Sequence, residues 1–406
     1  MQDKIIFFDT TLRDGDQAPG AAMTEKEKVE IAKKLDEMGV DVIESGFAAS
    51  SNIDFSAINE VCKNTHNATI CSLARCVPAD IKKAAEALMP AIIQGRARIH
   101  VFLATSSVHM EKKLKMSKEK VKETIRSGIL YARKFTPDVE FSAEDAAGTD
   151  RDFLIECVKI AIEAGAKTIN IPDTLGRTVP SEYAEIVKDV ITRSQAPSDV
   201  IFSVHCHNDM GNATANAMAG VSAGARQVEC CMNGLGERAG NTALEEVVAH
   251  FIARPDLFPH KINIDPKQLR SISKMVSRAS GFTVQKNKAI VGKNAFSHAS
   301  VIHQDGILKD RDTYEFIKPE YFGAKTEFPL TRHCGRGAAR FRCQEIKPDV
   351  SEEEITAVME DVKKGQYKIC EKDRLNDMLF PAIKPSFPTP IDMVQIHGFI
   401  KRKVMS

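Results

Sequence analysis

Several absences narrow what this chain can do. No apolar run reaches the roughly 20 residues that cross a bilayer, and Met1 leads through charged Asp3 and Lys4 straight into an apolar strand, so neither a membrane span nor a signal peptide is expected. No Cys-x-x-Cys pair occurs among the ten cysteines, two of them adjacent at Cys230 and Cys231. That pattern argues against zinc ribbons and dithiol redox chemistry and predicts reduced core thiols in a cytoplasmic protein. Charge of one sign is not in excess: 56 Lys and Arg face 55 Asp and Glu, a net charge of +1, which offers no bulk attraction to nucleic acid. No Gly-x-Gly-x-x-Gly turn follows the first strand, which weakens a nucleotide-binding doubly wound sheet. Tryptophan is missing too, and its absence excludes nothing.

What is present is a chain of 406 residues, 43% hydrophobic, long enough for one large domain and a smaller one. Apolar β-type runs alternate with amphipathic helical patterns. Ile5–Phe8 precedes a polar turn and the capping box Thr24-Glu25-Lys26-Glu27, which opens a helix to Met38. Val42–Glu44 is followed by a helix from Ile53, Thr69–Leu73 by one from Ala79, and Arg98–Leu103 by one over Ser117–Lys134. Val139–Ser142, Thr168–Ile171, Val200–Val204 and Gln227–Met232 likewise precede helices from Asp152, Ser181, Met210 and Thr242. Eight such units over about 250 residues predict an α/β protein, a closed (β/α)8 TIM barrel with its site at the C-terminal strand ends. The boundary is placed at Arg254–Pro259, giving a barrel over 1–258, a smaller, mainly helical region over 259–380 and a Pro-rich tail over 381–406. Within the smaller region helices are expected over Asp265–Ser280, Ser351–Lys364 and around Lys372–Leu379, a polar loop over Phe296–Gly306, and a solvated face at Lys309–Asp312.

His205-Cys206-His207-Asn208-Asp209 closes the seventh strand. Side chains at i and i+2 of a strand share a face, so His205 and His207 can grip one cation. A pair of this kind alone is more often structural. In a closed barrel, however, the eighth strand lies beside both the seventh and the first, which brings Asp14, the two histidines and Asn241 to one sector of the mouth. An acid, two imidazoles and an amide oxygen suit a divalent cation such as Mn²⁺, Zn²⁺ or Mg²⁺, with positions left open for a chelating substrate.

Three stretches carry a resemblance: Asp9-Thr10-Thr11-Leu12-Arg13-Asp14-Gly15-Asp16-Gln17, the His205 motif, and Asn233-Gly234-Leu235-Gly236-Glu237-Arg238-Ala239-Gly240-Asn241. In this order, on eight units, the chain from Ile5 to about Gly337 resembles the α-isopropylmalate and homocitrate synthase family, part of the DRE-TIM metallolyase superfamily. The resemblance implies an acyltransferase: acetyl-CoA loses a methyl proton, its enolate adds to the ketone of a 2-oxo acid, and thioester hydrolysis frees coenzyme A. It implies Asp14, His205, His207 and Asn241 as metal ligands, Arg13 as stabiliser of the enolate or alkoxide oxygen, and Glu144 as an active-site acid. His100, Ser142 and Thr174 are implied to meet the oxo acid, although a buried His100 could equally be satisfied by its surroundings. Glu237 is implied near acetyl-CoA. His303 and Tyr314 match a pair that resembling enzymes send into the partner subunit's site, which implies a homodimer and makes His303 the preferred member of the proton relay.

Resembling enzymes that take 2-oxoglutarate usually carry an arginine where this chain has Glu140. An anion facing the pocket would repel a second carboxylate, so an apolar 2-oxo acid, first of all 2-oxoisovalerate, is expected. Ala48-Ala49, in place of the more usual Pro-Val, leaves longer or aromatic acids open, and with them the benzyl-, methylthioalkyl- and citramalate-forming synthases. Arg332-His333-Cys334 replaces the usual Lys-His-Ser. The chain ends soon after the Pro-rich tail, where leucine-producing synthases commonly continue, and insensitivity to leucine is expected. Rival readings are a same-fold acyl-CoA lyase, a silent barrel used for binding, and a carboxyltransferase, for which no lysine can be placed at a strand end.

Overall fold

The computed structural model describes residues 4–331 and 333–364, with Leu375, Met378 and Leu379. Eight strands form one closed barrel in chain order. They are β1 (Ile6–Asp9), β2 (Val42–Glu44), β3 (Thr69–Arg75), β4 (Ala97–Ala104), β5 (Val139–Glu144), β6 (Thr168–Asp173), β7 (Ile201–Cys206) and β8 (Gln227–Cys230). Closure is made by β1 on β8, parallel, with Ile6 opposite Gln227 and Asp9 opposite Cys230. The expected (β/α)8 barrel is therefore the observed one.

Helices fill the connections: α1 (Glu25–Met38), α2 (Asn52–Asn64), α3 (Pro78–Ala87), α4 (Met89–Ile93), α5 (Lys118–Ala132), α6 (Arg151–Glu163), α7 (Pro180–Ser194), α8 (Ala213–Ser222), α9 (Leu244–Ala253) and α10 (Leu269–Ser280). Their starts follow local chemistry. Thr24 and Glu27 close the capping box of α1, and Ser51, Ser117 and Asp150 each accept a backbone N–H in the first turn of α2, α5 and α6. Pro78 and Pro180 occupy the first turn of α3 and α7, where no backbone donor is needed.

The barrel interior is unusually polar for a space that bulky branched residues ordinarily fill. Near the N-terminal ends of the strands Glu140 accepts from Arg98 Nη1 at 2.9 Å and Gln227 Nε2 at 2.8 Å, and Gln227 also donates to Ser203. Only Phe8, Val42 and Cys71, with Ile6 against them, make an apolar patch inside. The hydrophobic mass sits between the strands' outer faces and the helices, in residues such as Phe7, Phe141, Phe153 and Tyr183.

By compactness the chain divides into two units, one reaching Ala295 and including Pro319–Ala324, the other holding Phe296–Lys318 and the residues from Lys325. The second contains α11 (Val301–Lys309), α12 (Arg336–Gln344) and α13 (Glu352–Lys364), around Leu330, Cys343, Ile355 and Val358. The polar loop expected over Phe296–Gly306 is corrected by α11. Gly306 lies inside that helix because a Cβ there would meet the ring of Tyr314 at 2.7 Å, so the residue read as a loop end is the one that seats an aromatic side chain. Lys309, Asp310, Arg311 and Asp312 are solvated as expected. The Pro-rich tail and most of Lys372–Leu379 lie outside the described residues. Among the described residues no helix is long and apolar enough to cross a membrane.

Candidate active site

The turn after β1 is stitched down before it reaches the mouth. Asp9 accepts from the backbone and hydroxyl of Thr11, Thr11 Oγ1 accepts from Met232 N at 2.9 Å, and Thr10 pairs with Cys231. This fixes the turn against the loop after β8 and leaves Arg13 and Asp14 facing inwards. They line a cavity of about 510 Å³ together with His100, Ser142, Glu144, Thr174, His205, His207 and Glu237. Nine of the twelve sequence-expected site residues thus share one space.

Asp14, His205 and His207 form its base, with one candidate ligand atom from each within 4.8 Å of the others. His205 Nε2 is 3.1 Å from His207 Nε2 and 3.6 Å from Asp14 Oδ2. Burial pushes the two rings down, His205 to about 4 and His207 to about 3, so both are neutral with lone pairs available at pH 7. Asp14 is held well below the usual carboxylate range, since against the cost of burial stand Arg13, the two histidines and the Asn241 amide. Asp14 Oδ1, His207 Nδ1 and Asn241 Oδ1 are buried without a hydrogen-bond partner. Buried acceptors without donors are costly, and a cation among them removes that cost. The residues therefore fit a divalent ion.

Asn241 is not on β8, which ends at Cys230. The loop runs out and returns, pairing Asn241 with His207 in an antiparallel bridge, while Thr242 N donates to Cys206 O at 3.0 Å and Asn208 N to Gly240 O at 2.8 Å. Asn241 lines the adjoining cavity of about 420 Å³. A Cβ on Gly240, at φ +96°, would collide with the carbonyl of Gly234, so the turn that delivers Asn241 requires glycine.

One side of the main cavity is a hydrogen-bonded row. Glu44 takes Arg13 Nε at 2.5 Å on one oxygen and His100 Nδ1 at 2.8 Å on the other. His100 Nε2 is 2.7 Å from Ser142 Oγ, which also accepts from Asn170 Nδ2 at 2.8 Å. Burial opposes the charge on His100, but Glu44 overrides it and raises the ring to about 9, so His100 is cationic at pH 7. The opposite side is apolar, with Phe47, Leu73, Phe102 and Pro172. At the rim Glu144 is engaged by Lys113 at 2.6 Å, and Thr174 Oγ1 accepts from Asp145 N.

His303 and Tyr314 lie in the second unit, stacked on each other at 4.1 Å, with Tyr314 42% exposed. Two sequence inferences need correction. Glu140 does not face the cavity: it is fully buried and bonded to Arg98 and Gln227, so it says nothing about a second carboxylate on the substrate. Ala48 is fully buried and does not line the cavity, whose wall at that point is Phe47.

The comparisons with known proteins agree with this geometry. Residues 4–276 match the family model described as HMGL-like, and residues 290–368 the one described as homocitrate synthase post-HMGL domain-like. The chain belongs to the HMGL-like family. Its relatives include 2-isopropylmalate synthases from Aromatoleum aromaticum, 52% identical over 355 residues, and from Paraburkholderia phymatum, 54% identical over 348. The first alignment covers 87% of this chain and 69% of that protein, the second 85% and 67%. Within the HMGL-like family the chain therefore groups with the 2-isopropylmalate synthases. Among solved structures it is similar to the hydroxymethylglutaryl-CoA lyase of Pseudomonas aeruginosa, with TM-score 0.59 and 19% identity over 70% of this chain and 95% of that one. It is also similar to the carboxyl transferase domain of Rhizobium etli pyruvate carboxylase, with TM-score 0.53 and 14% identity over 99% and 73%. Those two likenesses speak for the HMGL-like fold alone.

Glu44, Glu229, Asn170, Phe47, Leu73 and Phe102 complete this HMGL-like site and were not singled out from the sequence. Glu229, pushed up to about 7 by burial, stands 2.9 Å from His205 Nδ1, where it fixes which ring nitrogen faces the other ligands. The signal was a period of two along each strand: Leu73, Phe102, Asn170 and Glu229 all stand at inward-facing alternate positions.

Proposed function

We propose that this chain condenses acetyl-CoA with an apolar 2-oxo acid, 2-oxoisovalerate first, to give 2-isopropylmalate and free coenzyme A. The observation that carries the reading is one cavity joining a candidate cation cluster to an apolar wall, in a chain whose relatives are 2-isopropylmalate synthases. Asp14, His205, His207 and Asn241 would hold a divalent ion, Mn²⁺, Zn²⁺ or Mg²⁺ by the chemistry of the donor set. When bound, such an ion polarises the ketone and offsets the negative charge that develops on its oxygen.

The chain's own residues account for the rest. Arg13, held by Glu44 and Asp14, presents a fixed positive charge where the enolate and alkoxide oxygens form. His100, Ser142 and Thr174 supply donors for the oxo acid's carboxylate, with Asn170 orienting Ser142. Phe47, Leu73 and Phe102 receive its alkyl group, and they take over the argument against a dicarboxylate that Glu140 does not support. Glu237 is assigned to the acetyl-CoA side. For removal of the methyl proton His303, with Tyr314 stacked on it, is preferred to Glu144, whose carboxylate is occupied by Lys113. A homodimer follows from that assignment. A cytoplasmic setting is supported by the described cysteines, which are all buried and free. The experiment is thiol release from acetyl-CoA by metal-loaded protein over a panel of 2-oxo acids. Preference for 2-oxoisovalerate is expected. Preference for a longer, aromatic or dicarboxylic acid would replace the substrate, and no release from any acid by metal-loaded protein would remove the synthase reading.

A further inference from the structure

Arg238 occupies a place that the chemistry above does not use. It sits in the loop after β8 with left-handed backbone, φ +55°, and lines both cavities. Its guanidinium grips Asp209 with two hydrogen bonds, Nε to Oδ1 at 2.7 Å and Nη2 to Oδ2 at 2.8 Å, and Nη2 also donates to Thr174 O at 2.8 Å. Asp209 follows β7 and Thr174 follows β6. Thr174 Oγ1 in turn accepts from Asp145 N, after β5, at 3.0 Å. One arginine thus joins the mouth loops of β6, β7 and β8 directly, and that of β5 through Thr174. Gly176 makes room for the arrangement: at φ +58°, a Cβ there would lie 2.5 Å from Asp209 Oδ2.

We propose that Arg238 is a positioning residue, a clamp that closes four successive mouth loops into one rim and so sets Thr174 and Glu237 against the bound 2-oxo acid and acetyl-CoA. The pair with Asp209 is partly exposed, Arg238 at 41% and Asp209 at 27%, and exposed pairs contribute little to folding. Its two-pronged geometry instead imposes direction, which lysine cannot reproduce. The metal cluster does not depend on it, because Asn241 is held by its bridge to His207 and by Nδ2 donating to Leu235 O.

The inference rests on the synthase reading for its kinetic part only. Arg238→Ala, Arg238→Lys and Asp209→Ala are compared with wild type for metal affinity by titration calorimetry, for kcat and KM of the 2-oxo acid, and for amide hydrogen exchange. Metal affinity within about twofold of wild type is expected for all three. A fall in kcat/KM of about tenfold to a hundredfold is expected, the scale of a displacement near 1 Å, with Arg238→Lys no better than Arg238→Ala. The double variant should be no worse than either single one, since both remove the same link. Independently of any turnover, exchange at the Asp145 amide should rise in Arg238→Ala, although that amide does not touch Arg238. Wild-type kinetics, full recovery by lysine, or additive effects in the double variant would overturn the clamp in an active enzyme. Should wild type release no thiol, the exchange result decides alone, and an unchanged Asp145 amide would refute the clamp.

Discussion

Glu44 gives the sharpest test of how the barrel holds its charges. It is fully buried, and its two oxygens serve Arg13 and His100 separately. Replacing it by glutamine keeps the volume and removes the charge. Two routes give the magnitude. His100 is raised from 6.5 to about 9, mainly by Glu44 against the opposing cost of burial. At about 1.4 kcal/mol per pH unit this difference is worth roughly 3 kcal/mol of folding free energy. Breaking a buried ion pair by removing one partner costs about 3–5 kcal/mol, and the lower end applies because Arg13 keeps Asp14 at 2.7 Å. The sign is set by linkage. Below the unfolded value of 6.5 the ring is charged in both states and the stabilisation is complete. Above it the unfolded ring deprotonates while the folded one does not, so the contribution shrinks and is gone once the pH passes about 9. Urea unfolding of wild type and Glu44→Gln across this interval should give a difference of roughly 3 kcal/mol on the acid side, closing towards the alkaline side. A variant as stable as wild type on the acid side, or a difference that does not change with pH, would refute the assignment of Glu44 as the counter-ion of His100.

The other expectations concern the site more directly. His207→Ala should lose divalent metal and activity together, whereas Arg13→Ala should still bind metal, by calorimetry, while kcat falls by about 10²–10³, the usual loss for one oxyanion donor. Near-normal turnover in Arg13→Ala would remove its role. Phe102→Ala widens the apolar wall and should shift kcat/KM towards longer 2-oxo acids by about 10–100-fold, the range for one methylene-sized change or more; unchanged selectivity would move the alkyl site elsewhere. Mixing His303→Ala with Arg13→Ala subunits should restore part of the activity that each lacks alone. No restoration in mixed dimers would argue that each subunit uses its own His303.

The barrel was legible because every strand and helix carries its own periodicity, and the metal ligands because chain closure makes three distant stretches neighbours. The β8 contribution was legible only in part: Asn241 arrives by a returning loop, which residue spacing does not reveal. Glu44 and Glu229 were hidden for a different reason. A single acid in Val42-Ile43-Glu44 or Gln227-Val228-Glu229 has no local partner, and its role exists only once His100 or His205 is brought beside it. Glu140 misled in the opposite direction, since the side chain faces inward but lies in the layer beneath the cavity, bonded to Arg98. The helix over Val301–Lys309 was obscured by Gly306, whose small size answers to Tyr314 and not to a turn.

The bridge between His207 and Asn241 separates two kinds of freedom in this enzyme. Two of the four proposed ligands are spaced by peptide hydrogen bonds between their backbones, so neighbouring side chains can change without altering the grip on the ion. The wall that meets the substrate's alkyl group has no such frame: Phe47, Leu73 and Phe102 come from three different βα segments and meet through side chains alone, as in the edge-on contact of Phe47 with Phe102 at 6.5 Å. Single substitutions can therefore retune which acid is accepted while the ion stays where it is. Selectivity is the adjustable half of this barrel mouth, and cation binding the rigid half.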